Sequence, residues 1–186
     1  MEIKQIPFEH TQIIQITNLL SSAQFKAVIN YNTGVFKPKA ESRMSYVVDV
    51  KNKNTLENPV YHFIFSQIKN VFYSVNINEL YPTGMNVMYG KPAVRWHKHR
   101  SEFRYDPINI AGPDQLWIAI YYFHPEWDIN DTNGQLRVSK NPTDMGMKFQ
   151  PIPNSCIIHD SSLGHAVDNP HSTNLKRISG YSHWVK

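Results

Sequence analysis

The sequence predicts a mainly β protein with helices near its amino terminus, an α+β chain whose body is a sandwich, jelly roll or barrel. Three observations point there. From about residue 79 onward, short apolar or aromatic runs alternate with turn residues, as in two-layered or closed antiparallel architectures. The run Leu116-Trp117-Ile118-Ala119-Ile120-Tyr121-Tyr122-Phe123 is apolar on both faces, as a central covered strand would be. Before residue 79, apolar residues recur at helical spacing, so helices are expected to cover the β body on one side.

In chain order, residues 1–9 read as extended, since Pro7 argues against an early helix. Thr11 is a candidate cap for a helix to about Tyr31 that uses Ile13, Ile14, Ile16, Leu19, Leu20, Phe25, Val28 and Ile29, with Ser21-Ser22 as a possible break. Asn32-Thr33-Gly34 reads as a turn, and Met44 to Val50 as a strand. Asn58-Pro59 opens a second helix to about Tyr73, with proline at the first helical position. The predicted strands are then 79–81, 85–89, 94–99, 115–123, 134–138, 156–159, 165–167 and 177–184. Their breaks are Pro82-Thr83-Gly84, Gly90-Lys91-Pro92, Ala111-Gly112-Pro113, Asp131-Thr132-Asn133-Gly134, Asn141-Pro142 and Pro151-Ile152-Pro153.

A chain of 186 residues is expected to form a single domain, 1–186, with 1–78 as a helical support region and 79–186 as the β core. The apolar share of 41% and charged share of 18% suit a soluble globular protein. No apolar run is long enough to span a membrane, and the amino terminus lacks the pattern of a signal peptide. Cys156 is the only cysteine, which excludes an internal disulfide; it sits in the apolar Cys156-Ile157-Ile158 and reads as a buried inert thiol. A cytoplasmic protein is expected. The net charge of +4 is mildly basic, with a modest cluster at Arg95, Lys98, Arg100 and Arg104. A solvated face is preferred over attraction of an anionic substrate, and no nucleic-acid-binding motif accompanies the cluster. The sequence carries no signal for an oligomeric state.

The chemistry concentrates in Val94-Arg95-Trp96-His97-Lys98-His99 and in two downstream segments, 159–165 and 176–179. On a strand, His97 and His99 project from the same face, and His165 is the candidate for a third metal ligand. Two histidines and a carboxylate on one face of Fe(II) leave positions for a co-substrate and dioxygen. A chelating 2-oxo acid then needs a cation for its far carboxylate. Arg177, 12 residues after His165, has the planar fork for that, with Ser179 on the same face.

Four blocks in this order resemble the Fe(II)/2-oxoglutarate-dependent dioxygenases, nearest the prolyl-4-hydroxylase-like branch, over roughly Met85 to Trp184. They are Asn86 to Gly90 with Trp96 to His99; Trp117 to Trp127 with Asn133 to Val138; Pro151 to His165; and Arg177-Ile178-Ser179. The resemblance implies a double-stranded β-helix core, a jelly-roll or cupin-like barrel holding iron at its open end. It implies His97 and His165 as iron ligands, Arg177 as the 2-oxoglutarate clamp, Tyr89 as a hydrogen-bond partner of that co-substrate and Ser179 as a further donor. It implies that dioxygen and 2-oxoglutarate are consumed to hydroxylate an unactivated C–H bond. From the branch, a prolyl or other peptide side chain is the leading substrate; an amino acid or other small molecule comes next and a nucleobase last.

Position 99 departs from that pattern, which has His-x-Asp or His-x-Glu where this chain has His97-Lys98-His99. His99 completes a three-histidine face, or stands behind the ligands while water, halide or substrate fills the position, or yields to Glu102 or Asp106 as the carboxylate, in that order of preference. Most histidines bind nothing, and with nine in the chain a pair two apart is unsurprising. His159 occupies a place where an apolar residue is usual, either behind the ligands or as polar lining. Tyr89 reads equally well as a core aromatic, and Trp96, Trp117, Tyr121, Tyr122, Phe123 and Trp127 read as core. Two other readings remain: a non-catalytic barrel with an altered metal site, and a three-histidine dioxygenase of cupin type that needs no 2-oxo acid, against which Arg177 and Ser179 argue.

Overall fold

The computed structural model describes residues 1–35, 44–47, 59–71, 80–88, 94–98, 116–167 and 177–185. Within them lie β1 (Glu2–Phe8), β2 (Thr11–Thr17), α1 (Ser22–Val35), β3 (Met44–Val47), α2 (Pro59–Val71), β4 (Leu80–Met88), β5 (Val94–His97), β6 (Leu116–Tyr122), β7 (Leu136–Ser139), β8 (Met147–Phe149), β9 (Ser155–Asp160), β10 (Gly164–Val167) and β11 (Arg177–Val185). The strands form two antiparallel sheets. The large one runs β1-β2-β9-β6-β11-β4-β3 and the small one β5-β10-β7-β8.

The large sheet is apolar on both faces because it separates two cores. On one face α1 and α2 bring Val28, Ile64, Phe65 and Ile68 onto Ile14, Ile16, Trp117, Ala119, Tyr121, Ile158 and Ile178. On the other, Ile13, Ile118, Ile120, Tyr122 and Ile157 meet Leu136, Val138 and Phe149 of the small sheet. Strand β6 thus sends alternate residues into two interiors, as its unbroken apolar run predicts.

Residues 11–31 do not form one helix. Thr11–Thr17 is a strand, and α1 begins only at Ser22. The segment is dense in β-branched residues, which pack well on a pleated sheet. Its Ile13 enters one core and Ile14 and Ile16 the other, so no simple alternation betrays the strand. The Ser21-Ser22 break separates strand from helix: Ser21 Oγ accepts from the Gln24 amide at 3.4 Å, and Gln24 Oε1 accepts from the Ser21 amide at 3.0 Å, a reciprocal cap. Asn32-Thr33-Gly34 is the last turn of α1 rather than a separate turn. Asn154, in the left-handed region at φ 58°, fastens the start of α1 to β9. Its side chain accepts from the Leu20 amide at 2.9 Å and donates to the Leu20 carbonyl at 2.8 Å.

Pro82-Thr83-Gly84 does not end a strand; β4 runs through it. Tyr81 and Gly84 oppose His183 and Tyr181 of β11, so one extra residue is absorbed there as a bulge. Proline is tolerated in a sheet at such a place. The short strand β8 has no counterpart in the sequence reading. The structure places β7 at Leu136–Ser139 and β9 at Ser155–Asp160, within two residues of the expected limits.

Candidate functional site

Register brings His97 and His165 together. They are partners across β5 and β10, with ring centroids 4.5 Å apart and planes at 65°. The alternation of β7 shows which way they face, because Val138, opposite His165, belongs to the core between the sheets. The other side of the small sheet is tied by Trp96. Its Nε1 donates to Ser139 Oγ at 2.9 Å, and Ser139 also receives a bond from Arg137 at 3.0 Å. Because β10 lies between β5 and β7, the indole passes over Gly164 to reach Ser139. A Cβ at Gly164 would collide with the Trp96 ring and come within 2.8 Å of the His97 carbonyl oxygen. A residue without a side chain is therefore needed immediately before His165.

The hydrogen bonds assign the imidazole tautomers. His97 Nδ1 lies 2.9 Å from the Arg95 carbonyl oxygen. A carbonyl can only accept, so the proton sits on Nδ1 and the lone pair of the neutral ring on Nε2. His165 Nδ1 faces His159 Nε2 at 3.1 Å, and His159 Nδ1 faces the Asp160 carbonyl oxygen at 2.9 Å. The same logic passes along the chain, so His165 also presents its lone pair at Nε2. His159 is fully buried and His165 nearly so.

Arg177 opens β11 and is buried. Its guanidinium carbon stands 5.3 Å over the Tyr122 ring, and Nη2 lies 3.5 Å from the Tyr122 hydroxyl. Burial pushes the Tyr122 hydroxyl above a tyrosine's ordinary pKa, and the neighbouring Arg177 charge offsets only part of that rise. Ser179, two residues along β11, is buried and is the register partner of Tyr122. Guanidinium, neutral phenol and hydroxyl on one sheet face suit a carboxylate. On β6 the same face carries Ile118 opposite His159 and Tyr122 opposite Ser179, with Ile120 between them.

Of the sequence-derived candidates, the structure thus joins His97 to His165 and lays Arg177 and Ser179 on one strand. His99 and Tyr89 lie outside the described residues, as do Glu102 and Asp106. Among the described residues no group of three or more His, Cys, Asp and Glu side chains gathers as a metal cluster. Two imidazoles with Nδ1 committed and Nε2 basic are nonetheless donors that fit Fe(II). His159 and Tyr122 emerge as site neighbours. The signal for Tyr122 is its position two residues from Ile120 on the inner face of β6, but only pairing with β11 puts it beside Arg177. No helix among the described residues is long and apolar enough to cross a membrane.

The sequence matches no family model and no curated protein. Solved structures do resemble it. A prolyl hydroxylase from Trichoplax adhaerens, in complex with a hypoxia inducible factor oxygen degradation domain peptide fragment, has a TM-score of 0.63 at 17% identity, covering 93% of this chain and 83% of its own. A Pseudomonas putida prolyl-4-hydroxylase has a TM-score of 0.58 at 14% identity, covering 94% and 92%. The viral collagen prolyl hydroxylase of Paramecium Bursaria Chlorella virus-1, in its 2OG complex, has a TM-score of 0.58 at 14% identity, covering 94% and 96%. With its two antiparallel sheets, the chain has the jelly-roll fold of these prolyl hydroxylases.

Proposed function

We propose that this chain is an Fe(II)- and 2-oxoglutarate-dependent dioxygenase that hydroxylates an unactivated C–H bond. The observation that carries the reading is the pairing of His97 with His165 across β5 and β10, both with Nδ1 engaged in a hydrogen bond, in a fold shared with prolyl hydroxylases. His97 and His165 would hold the metal and His99 is the proposed third donor; Arg177, with Tyr122, Ser179 and Tyr89, would bind 2-oxoglutarate. When bound, iron and 2-oxoglutarate supply the activation of dioxygen. The protein's residues do the orienting. The Arg177 fork fixes the direction of a carboxylate through parallel hydrogen bonds. Tyr122, kept protonated by burial, remains a hydrogen-bond donor throughout the neutral range. The apolar Ile118, Ile120 and Ile157 around the site exclude water from the reacting centre. A peptide side chain is the proposed substrate class, with proline first, because the Trichoplax neighbour was solved with a peptide.

The reading is tested by adding Fe(II) to the protein without oxygen and titrating 2-oxoglutarate. A metal-to-ligand absorption band is expected. Arg177→Ala is expected to weaken 2-oxoglutarate binding about 10- to 100-fold, the effect of losing about 1.5–3 kcal/mol of charge-assisted hydrogen bonding. Absence of the band together with absence of succinate formation would sink the proposal. Oxygen consumption without 2-oxoglutarate would favour the cupin-type chemistry instead.

A further inference from the structure

We propose that His159 is a positioning residue that sets the tautomer of His165 and thereby presents Nε2 of His165 to a divalent metal. The two candidate ligands reach the same protonation state by different routes. His97 gives its Nδ1 proton to a carbonyl of its own strand, that of Arg95 at 2.9 Å. A backbone carbonyl has no second hydrogen-bonding state, so this tautomer is fixed locally. His165 gives its Nδ1 proton to another imidazole, His159 Nε2 at 3.1 Å. That nitrogen accepts only while His159 holds its own proton on Nδ1. The Asp160 carbonyl 2.9 Å away enforces this.

The Asp160 carbonyl is itself held in the turn between β9 and β10. It also accepts from the Leu163 amide at 3.1 Å, while Asp160 Oδ1 accepts from the Ser162 amide at 2.7 Å. The turn that carries the chain from the large sheet to the small one therefore orients His159, and His159 orients His165. The rings stand nearly perpendicular, with centroids 5.2 Å apart and planes at 71°, so the His159 lone pair meets the edge of His165. The nitrogen facing His159 is the one that cannot face the metal, which makes His159 a support for a ligand and not a ligand. Partners of this kind commonly contribute about 10- to 100-fold in metal affinity.

The metal consequence rests on the dioxygenase reading; the tautomer does not, and the experiment separates them. Histidine ring nitrogens are read by 15N–1H NMR in the metal-free protein at pH 8, and affinity is read by Co(II) absorption. In the wild type, His159 and His165 are both expected as Nδ1–H tautomers. In His159→Phe, His165 is expected to shift toward Nε2–H and Co(II) affinity to fall about 10- to 100-fold. His159→Gln, whose Oε1 lies near the position of Nε2 and can accept the same bond, is expected to keep the Nδ1–H form and affinity within a few-fold of wild type. An Nε2–H tautomer at His165 in the wild type would overturn the assignment without any variant. So would unchanged tautomer and affinity in His159→Phe. Tautomers that follow His159 in a protein that binds no Co(II) would leave the positioning role standing and remove the dioxygenase reading.

Discussion

Adjacent tyrosines on β6 face two different interiors. Tyr121 points to the helix side, where its hydroxyl bonds Ser182 Oγ amid Ile14, Ile158 and Ile178. Tyr122 points between the sheets, where its hydroxyl faces Arg177. The same division holds on β9. Cys156 and Ile158 belong to the helix side, whereas Ile157 lies between the sheets and His159 reaches His165 there. One face joins helices to sheet through apolar contact. The other begins apolar and becomes polar only where ring nitrogens, guanidinium and phenol gather. Stability and the proposed ligand binding can therefore be perturbed separately, although their residues alternate along the same strands.

The largest separation is expected from Ile158→Ala set beside His165→Gln. Ile158 is fully buried on the helix face, and its truncation is expected to cost about 2–5 kcal/mol in chemical denaturation. Metal affinity of the molecules that remain folded should not change. His165→Gln keeps volume and hydrogen-bonding capacity, so the metal-free protein should stay within about 1–2 kcal/mol of wild type while metal binding is lost. Loss of metal binding in folded Ile158→Ala, or global unfolding of His165→Gln, would break the distinction.

Gly164→Ala is expected to fall between these. The new methyl meets the Trp96 ring and the His97 carbonyl, and the ring cannot yield without disturbing its bond to Ser139. Overpacking of this kind costs about 1–3 kcal/mol. Here it also pushes on both candidate ligands, so metal affinity and stability should fall together. Trp96→Leu in the same chain should recover part of the stability. Full metal affinity in Gly164→Ala would show that the indole does not set the spacing of β5 and β10.

How much of this was legible follows from which interactions are local. The two-sided burial of β6 could be read directly, because seven consecutive positions of one strand carry the pattern. Strand β2 could not, since Ile13, Ile14 and Ile16 satisfy a helical spacing as well as a strand buried on both faces. Strand β4 was divided at Pro82, whose tolerance depends on a bulge against β11 far away in sequence. At the site, convergence of His97 with His165 was anticipated from chemistry. The sequence reads Tyr122 as core and leaves His159 between polar lining and a place behind the ligands, because their meaning arises from register: β9 must turn onto β10 before His159 meets His165, and β6 must lie beside β11 before Tyr122 meets Arg177.

The smallest effect expected is a two-stage loss of stability in alkali. Burial raises the Cys156 thiol well above its ordinary pKa on the helix face, and raises the Tyr122 hydroxyl on the other. Both are acids held neutral by the fold. Their contribution is fully present below the unfolded values, about 8.5 for a thiol and about 10 for a tyrosine, and is lost as pH rises through the folded values. Stability from chemical denaturation should therefore be flat through neutral pH, begin to fall above about pH 8.5 and steepen above about pH 10. Cys156→Ala should remove the first stage and shorten the second, because a Cys156 thiolate adds to the rise at Tyr122, and Tyr122→Phe should remove the second. At Tyr122 the Arg177 charge favours the phenolate, yet burial outweighs it. A ligand carboxylate beside Arg177 would weaken that opposing attraction and add repulsion to the phenolate. 2-Oxoglutarate should then leave the onset of the Tyr122 stage near about pH 10, which the unfolded value sets, and prolong its fall to higher pH. If the Tyr122 stage were not prolonged, the carboxylate would lie elsewhere.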